Sequence, residues 1–197
     1  MTAIMIQPSE EQIGTMPLHR FSVEDFHRLG TLGFFTEDDR LELIEGEIVD
    51  MAPIGSNHAS ILARLNKAIT KQIGDNGLVF PQNPLKLSQN SEVYPDLTLL
   101  KPRSDDYRTT IPIAANALFV IEVSDTTLRY DRNVKVPLYA RHGVPEVWLF
   151  DIENERVEIF RQPGAEGYRM TLRPENAETI APEQLPEIQV DLAEIWR

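Results

Sequence analysis

Two carboxylates stand at positions where a folded chain seldom carries them. Glu122 interrupts the apolar run from Ala117 to Ser124, which predicts a central strand buried on both faces. Asp96 follows Pro95 at the entrance to an earlier strand-like run. A buried carboxylate is costly unless it meets a cation or takes up a proton. If the two strands are neighbours, the pair predicts an all-oxygen Mg²⁺ site. The alternative is that Asp96 caps a turn and Glu122 pairs with an arginine.

A basic segment follows Glu122 in a chain that is otherwise acidic. Its cationic side chains are Arg129, Arg132, Lys135 and Arg141. Within a helix, Lys135 and Tyr139 share one face because they are four residues apart. A lysine brought to metal-binding carboxylates suits phosphodiester hydrolysis, since the ion polarises the phosphate and the ammonium stabilises the nucleophile or the developing charge. The alternative is a solvated basic helix face.

The composition excludes several classes of protein. The chain has 197 residues, of which 42% are hydrophobic and 25% charged, which predicts one globular domain over residues 21–197 behind a loosely ordered tail, residues 1–20. A net charge of −12 argues against a histone-like DNA coat. Without cysteine there is no disulfide scaffold, zinc finger, iron–sulfur cluster or thiol nucleophile. Neither a transmembrane run nor a signal peptide is evident, so we expect a cytoplasmic protein without a membrane partner.

Helices and strands alternate in a pattern typical of a mixed α/β or α+β fold around one sheet. The spacing of apolar residues predicts a helix over Val23–Leu32 capped by Ser22, and a longer one from a Ser56 cap to Gly74. A third helix is predicted over about 132–142, although Pro137 belongs there only in a first turn or a kink. The predicted strands are two short ones within 40–49, then 78–81, 84–88, 96–100, 117–124, 146–151, 156–161 and 168–172.

Several ordered motifs together resemble the Uma-two family of restriction endonucleases, which belongs to the PD-(D/E)XK nuclease fold. The resemblance covers about Phe21 to Phe160 and implies a restriction-endonuclease-like mixed β-sheet flanked by helices. The motifs that carry it are Leu41–Val49, His58, Tyr94-Pro95-Asp96, Phe119–Ser124, Asp131-x-x-x-Lys135-x-x-x-Tyr139 and Gly143–Asp151.

The resemblance assigns catalytic roles to individual residues. Pro95-Asp96 matches the proline–aspartate pair of the fold, and Glu122-Val-Ser124 matches its (D/E)XK element with serine in the position of the lysine. Since serine supplies no positive charge, the family pattern points to Lys135 on the following helix as the displaced lysine. Without such a replacement, catalysis would be lost.

The remaining acidic ligand is identified as Glu42, in the strand before a Glu-Gly turn. Glu42, Asp96 and Glu122 would then hold Mg²⁺, for which Mn²⁺ can substitute, with the carbonyl of Val123 as a further ligand. The alternative for Glu42 is an ion pair with Arg40 or Arg64. His58 could contact phosphate, but a histidine at a helix N-terminus is more often structural.

These features predict a Mg²⁺-dependent enzyme that hydrolyses DNA phosphodiester bonds, with Arg129, Arg132 and Arg141 against the phosphates. Two alternatives remain open: a nuclease fold that has lost catalysis and serves in binding or assembly, and a metal-dependent hydrolase of a small phosphate or nucleotide. We also expect a homo-oligomer, with a dimer favoured, because the sheet edge after Tyr168 and an exposed hairpin containing Trp148 would need cover.

Overall fold

The computed structural model describes residues 18–36 and 38–197. Most of the predicted tail, residues 1–20, therefore lies outside the described residues. The described chain has the mixed α/β architecture predicted from the sequence, with helices packed on both faces of a mixed sheet. No helix within these ranges is both long enough and apolar enough to cross a membrane.

Helices occur at all three predicted positions, one predicted cap is wrong, and the last helix of the chain was not predicted. The helical elements are α1 (Val23–Thr31), α2 (Ser56–Ile73), α3 (Leu128–Tyr130), a π-helical turn (Asp131–Lys135), α4 (Val136–Arg141) and α5 (Leu192–Trp196). Ser22 caps α1 as predicted, since its hydroxyl accepts a hydrogen bond from the N–H of Asp25 at 3.1 Å. The predicted Ser56 cap of α2 is wrong, because the cap position is Gly55 and no side chain bonds to the first turn.

Twelve strands occur in the described chain, and most of the longer ones coincide with predicted strands. They are β1 (Leu41–Ile44), β2 (Glu47–Asp50), β3 (Leu78–Pro81), β4 (Leu85–Lys86), β5 (Glu92–Val93), β6 (Leu97–Leu100), β7 (Ala117–Ser124), β8 (Glu146–Asp151), β9 (Arg156–Gly164), β10 (Gly167–Leu172), β11 (Thr179–Ile180) and β12 (Val190–Asp191). The strands β5, β11 and β12, which were not predicted, are only two residues long. They are too short for a recognisable alternation of polar and apolar residues.

The main sheet has six strands in the order β10-β9-β8-β7-β6-β3. β7 lies in its interior, antiparallel to β6 and parallel to β8, and every residue of β7 is buried. The parallel pairing requires a crossover, which the helical segment from α3 to α4 supplies. A second sheet has four strands in the order β2-β1-β5-β4. It brings Glu42 on β1 into contact with Lys135 of the helical crossover.

The alternation of side chains along β7 decides which of them face the helical crossover. Phe119, Ile121 and Val123 enter the hydrophobic core that α2 covers. Val120 enters the core on the opposite face, together with residues of α4. Glu122 belongs to that second set, because successive side chains of a strand point to opposite faces. The period of the strand therefore directs a carboxylate toward the crossover helices.

Two details of the crossover and of β8 bear on predictions made from the sequence. Pro137 is the second residue of α4, directly after the π-helical turn, where the helical hydrogen-bond pattern changes. Trp148 on β8 is fully buried against Phe119, so the prediction of an exposed Trp-containing hairpin is wrong. Its ring fills the core instead of a surface.

Candidate active site

Strand pairing places the two predicted carboxylates side by side. β6 and β7 are antiparallel neighbours in which Leu97 pairs with Ile121. Asp96 precedes Leu97 and Glu122 follows Ile121, so the two acidic residues lie opposite each other. The sequence prediction that the strands are adjacent is confirmed by this register.

Glu122 is held by two donors from the crossover helices. Its Oε1 lies 2.5 Å from the hydroxyl of Tyr139, which donates to it, and 2.8 Å from Nζ of Lys135. Only 3% of Glu122 is exposed. Burial raises the pKa of the Tyr139 hydroxyl well above its ordinary value, so the phenol keeps its proton and acts as a donor.

The charge on Glu122 depends on its neighbours as much as on burial. Burial raises the pKa of Glu122 to about 8, against the opposing effect of Lys135. The carboxylates of Asp131, Asp96 and Glu42 act in the same direction as burial and contribute to this raised pKa. One ammonium therefore does not compensate the negative charge gathered here, and a further cation would stabilise the ionised form of Glu122.

Lys135 is the last residue of the π-helical turn and reaches two carboxylates at once. Its Nζ lies 2.8 Å from Glu122 Oε1 and 3.0 Å from Glu42 Oε1, although only 4% of the residue is exposed. Burial alone lowers the pKa of a lysine, but Glu122, Glu42 and Asp131 outweigh it and hold the pKa of Lys135 well above its ordinary value. π-Helical turns are rare and are often found at functional sites, where they reorient a side chain.

Glu42 does not pair with Arg40 or Arg64, the two partners considered as the alternative to a metal-binding role. Its Oε1 accepts a hydrogen bond from the backbone N–H of Tyr94 at 2.7 Å, in addition to the contact with Lys135. Arg40 donates instead to the carbonyl of Ala52 at 2.9 Å. Arg64, the other candidate partner, donates to carbonyl groups near the C-terminus, of which that of Ile195 lies at 2.8 Å.

Both carboxylate oxygens of Asp96 have partners that fix its orientation. The N–H of Val123 donates to Oδ2 at 2.8 Å, and Nε2 of His58 lies 3.0 Å from Oδ1. His58 reaches Asp96 from the first turn of α2. No hydrogen-bond partner for Nδ1 of His58, which is buried, occurs in the described chain. From the sequence, His58 was considered as a phosphate contact or as a structural residue. Its contact with Asp96 was missed, because nothing in the sequence relates two residues so far apart.

Ser124, in the position of the motif lysine, has a structural partner of its own. Its hydroxyl donates to Oδ2 of Asp131 at 2.7 Å, and the hydroxyl of Thr127 donates to the same oxygen at 2.6 Å. Asp131 is buried and begins the π-helical turn. Sequence reasoning gave no role to Asp131 or Thr127.

The three arginines predicted to contact DNA occupy different environments. Arg129 is exposed at the surface. Arg132 pairs with Glu158 at 2.6 Å, and Arg141 pairs with Glu45 at 2.9 Å. Two of the three guanidinium groups are therefore already engaged with carboxylates.

The carboxylates and Lys135 line a cavity of about 400 Å³. Its acidic lining residues are Glu42, Asp50, Asp96, Glu122, Asp125 and Asp131. Among the lining residues only Lys135 and Arg40 are permanently cationic, so negative charge dominates. Tyr94 and Tyr130 also line the cavity.

The chemistry of these donors fits a hard divalent cation. Mg²⁺ and Mn²⁺ prefer carboxylate, carbonyl and water oxygens, and the cavity wall carries carboxylates in excess over cations. As placed, no three His, Asp or Glu side chains of the described chain converge tightly enough to bind one ion. Lys135 lies between Glu42 and Glu122. A cation held here would therefore take protein ligands mainly from Asp96 and Glu122, and water would complete its coordination.

Comparison with known proteins agrees with the motifs described above. The family model Uma2, described as "Putative restriction endonuclease", matches residues 23–193, which is most of the chain. An uncharacterized protein from Synechocystis sp. is 26% identical over 147 residues, which cover 71% of this chain and 82% of the relative.

A solved structure shares the fold. The crystal structure of a "putative nuclease belonging to DUF820" from Anabaena variabilis superimposes with a TM-score of 0.72 at 17% sequence identity. The match covers 89% of this chain and 97% of that one. It confirms the predicted restriction-endonuclease-like fold class, with a mixed sheet flanked by helices.

Proposed function

The chain belongs to the Uma2 family of restriction-endonuclease-like proteins, and from this premise we propose that it is a metal-dependent nuclease that hydrolyses phosphodiester bonds of DNA. The observation that carries the proposal is the position of Lys135, whose buried ammonium contacts both Glu122 and Glu42 beside Asp96. Lys135 thus reaches the carboxylates from the helical crossover, whereas the lysine of the family motif would lie on the strand that carries Glu122.

Asp96 and Glu122 would hold Mg²⁺ or Mn²⁺ together with the carbonyl of Val123. Oε1 of Glu42 makes the contacts with Lys135 and Tyr94, so Oε2 is the oxygen that we assign to the ion. When bound, the ion supplies Lewis-acid polarisation of the phosphate and a lowered pKa for its water. The neighbours of Asp96 and Glu122 keep the two carboxylates directed toward the cavity.

Lys135 contributes a fixed positive charge next to the reacting phosphate. Its pKa, held well above the ordinary value, keeps it protonated at neutral pH, so it acts as an electrostatic stabiliser and not as a general base. Negative charge that develops on the phosphate oxygens would be stabilised by the ammonium. Preorganised charges of this kind in a water-poor site typically contribute roughly 10²–10³-fold in rate.

Arg129 is the basic side chain that we assign to the DNA backbone. It lies at the surface near the cavity wall formed by Tyr130. Arg132 and Arg141 would have to leave Glu158 and Glu45 before contacting phosphate. Their contribution to DNA binding is therefore expected to be smaller than that of Arg129.

We also propose that the protein forms a dimer through the edge of its main sheet. β10 is a terminal strand, and Met170 and Leu172 on it are 36% and 40% exposed. An unpaired edge strand with exposed apolar side chains favours pairing with a second copy. Sedimentation velocity of the wild type and of Met170→Lys tests this: loss of a dimer in the variant supports it, and a monomeric wild type contradicts it.

Cleavage of supercoiled plasmid DNA in Mg²⁺ or Mn²⁺ tests the enzymatic proposal. Wild type should nick the plasmid, EDTA should abolish nicking, and Glu122→Gln should reduce it at least 100-fold, since one metal ligand loses its charge. Glu153→Gln, on an exposed turn, serves as the matched control and should retain activity. If the wild type cleaves no duplex, single-stranded or branched DNA with either ion, the proposal fails.

A further inference from the structure

We infer that the cavity accepts single-stranded DNA in preference to a continuous duplex. The inference rests on the proposed function, because it assigns the substrate to the same cavity. It is carried by three properties of that cavity: the depth of its carboxylates, the chemistry of its walls and the scarcity of free cations around it.

The carboxylates lie too deep for a rigid double helix to reach easily. Glu42 and Glu122 are each 3% exposed, and the side chain of Asp96 is 13% exposed. The cavity above them, about 400 Å³, is of the size that holds small-molecule ligands. A single strand can bend one nucleotide into such a space, whereas a duplex would first have to unpair.

The walls offer surfaces suited to unpaired bases. Tyr130 packs against the hydrophobic core that contains residues of α4, and it also lines the cavity. Tyr94 lines it from the strand side, and Ile54, which is 42% exposed, stands at its rim. Proteins that bind single strands hold bases by stacking on aromatic rings, independently of sequence. In a duplex those base faces are already stacked on one another.

Among the described residues, few cations near the cavity other than Arg129 are free for the many phosphate contacts of a duplex. A protein that holds duplex DNA through its backbone typically neutralises about 6–10 phosphates. Near this cavity Arg132 and Arg141 are paired with carboxylates, and Arg40 donates to the carbonyl of Ala52. The chain as a whole carries a net charge of −12. Affinity here must therefore come more from stacking than from phosphate neutralisation.

Fluorescence anisotropy with the wild-type protein in Ca²⁺ measures the preference directly. The probes are a short fluorescein-labelled single strand of mixed sequence and the duplex formed with its complement. We expect the single strand to bind at least roughly 10-fold more tightly, the ratio that loss of one stacked base would produce. Equal or tighter binding of the duplex overturns the inference.

Variants of Tyr130 locate the preference in the cavity. Tyr130→Ala should weaken single-strand binding by about 5- to 100-fold and leave duplex binding nearly unchanged, whereas Tyr130→Phe, which keeps the ring, should bind like wild type. Ile54→Ser changes an exposed rim residue and should weaken the single strand to a smaller extent without affecting folding. Wild-type single-strand affinity in both Tyr130→Ala and Ile54→Ser overturns the inference.

Cleavage assays separate failure of this inference from failure of the proposed function. If the protein cleaves duplex DNA faster than the single strand, the enzymatic proposal stands and the inference is wrong. If it prefers the single strand in binding but cleaves neither probe, the inference stands and the enzymatic proposal is wrong. Displacement of the labelled strand by a mononucleotide at comparable concentration would identify a small-nucleotide site and overturn the inference.

Discussion

The hydroxyl of Ser124 donates to Oδ2 of Asp131 at 2.7 Å, and both side chains are buried. Ser124 occupies the position of the motif lysine at the end of β7, and Asp131 begins the π-helical turn that ends at Lys135. This hydrogen bond anchors to the end of β7 the segment that brings Lys135 to Glu122.

Ser124→Ala should loosen this anchor. The change leaves Asp131 with only the hydroxyl of Thr127, and loss of a hydrogen bond to a buried carboxylate typically costs about 1–3 kcal/mol. Urea denaturation should show the lower free energy of unfolding, and metal-dependent cleavage should fall because Lys135 is held less firmly. Ser60→Ala, at an exposed position of α2, is the control and should leave both quantities unchanged. A wild-type free energy of unfolding in Ser124→Ala would contradict the anchoring role.

Lys135→Ala should affect stability in a manner that depends on divalent cations. Removing the ammonium leaves Glu122 and Glu42 buried without their cation, a change that typically costs about 3–5 kcal/mol. A bound ion would restore part of the missing positive charge, so Mg²⁺ should raise Tm more in the variant than in the wild type.

Thermal melts in EDTA and in Mg²⁺ provide the measurement, with Lys67→Ala, an exposed lysine of α2, as the control. Cleavage by Lys135→Ala should be at least roughly 100-fold slower than by the wild type. If Lys135→Ala melts like the wild type in EDTA, the ion pairs around Lys135 contribute nothing to stability. If it cleaves DNA at the wild-type rate, Lys135 is not the catalytic lysine.

Divalent cations should stabilise the wild type through the excess of carboxylates in the cavity. At a concentration 100-fold above the dissociation constant, binding to the folded state alone contributes about 2.7 kcal/mol. Tm should therefore rise with Mg²⁺, Mn²⁺ or Ca²⁺, and the rise should vanish in Asp96→Asn and in Glu122→Gln. Asp75→Asn, an exposed residue outside the cavity, should keep it. Unchanged melting in about 10 mM of each ion, which is 100-fold above a 0.1 mM dissociation constant, would contradict a metal site.

The sequence predicted the central strand and its carboxylate because burial on both faces leaves a strong signature. The continuous apolar run from Ala117 to Ser124 coincides with β7, and Glu122 is conspicuous as its one acidic residue. Helical spacing placed Lys135 on one face with Tyr139, and the resemblance to the family predicted its role as the displaced lysine. The sequence was sufficient to predict a feature wherever the residues that determine it lie on one strand or one helix.

Features that depend on contacts between distant segments could not be predicted. Arg132 and Arg141 form a basic cluster in the sequence, but their partners are Glu158 on β9 and Glu45 in the β1–β2 turn. The π-helical turn has no sequence signature, since its extra residue is set by packing rather than by local propensity. Core or dimer packing was expected for Trp148, and its ring is in the core. The hairpin that contains it was expected to be exposed, because a sequence shows that a strand is apolar but not what covers it.

Substitution of His58 should lower the affinity for metal without lowering the stability of the fold. Its Nε2 lies 3.0 Å from Oδ1 of Asp96, while the N–H of Val123 holds Oδ2. Loss of a neighbour that orients a ligating carboxylate typically lowers metal affinity about 10–100-fold. His58→Ala should therefore bind Mn²⁺ correspondingly more weakly in calorimetric titrations, and it should unfold at nearly the same urea concentration as the wild type in EDTA. His27→Ala is the matched control, because His27 pairs with Glu92 and does not line the cavity. Wild-type Mn²⁺ affinity in His58→Ala would show that the N–H of Val123, together with the longer contact from Nε2 of Gln82 at 3.4 Å, is sufficient to orient Asp96.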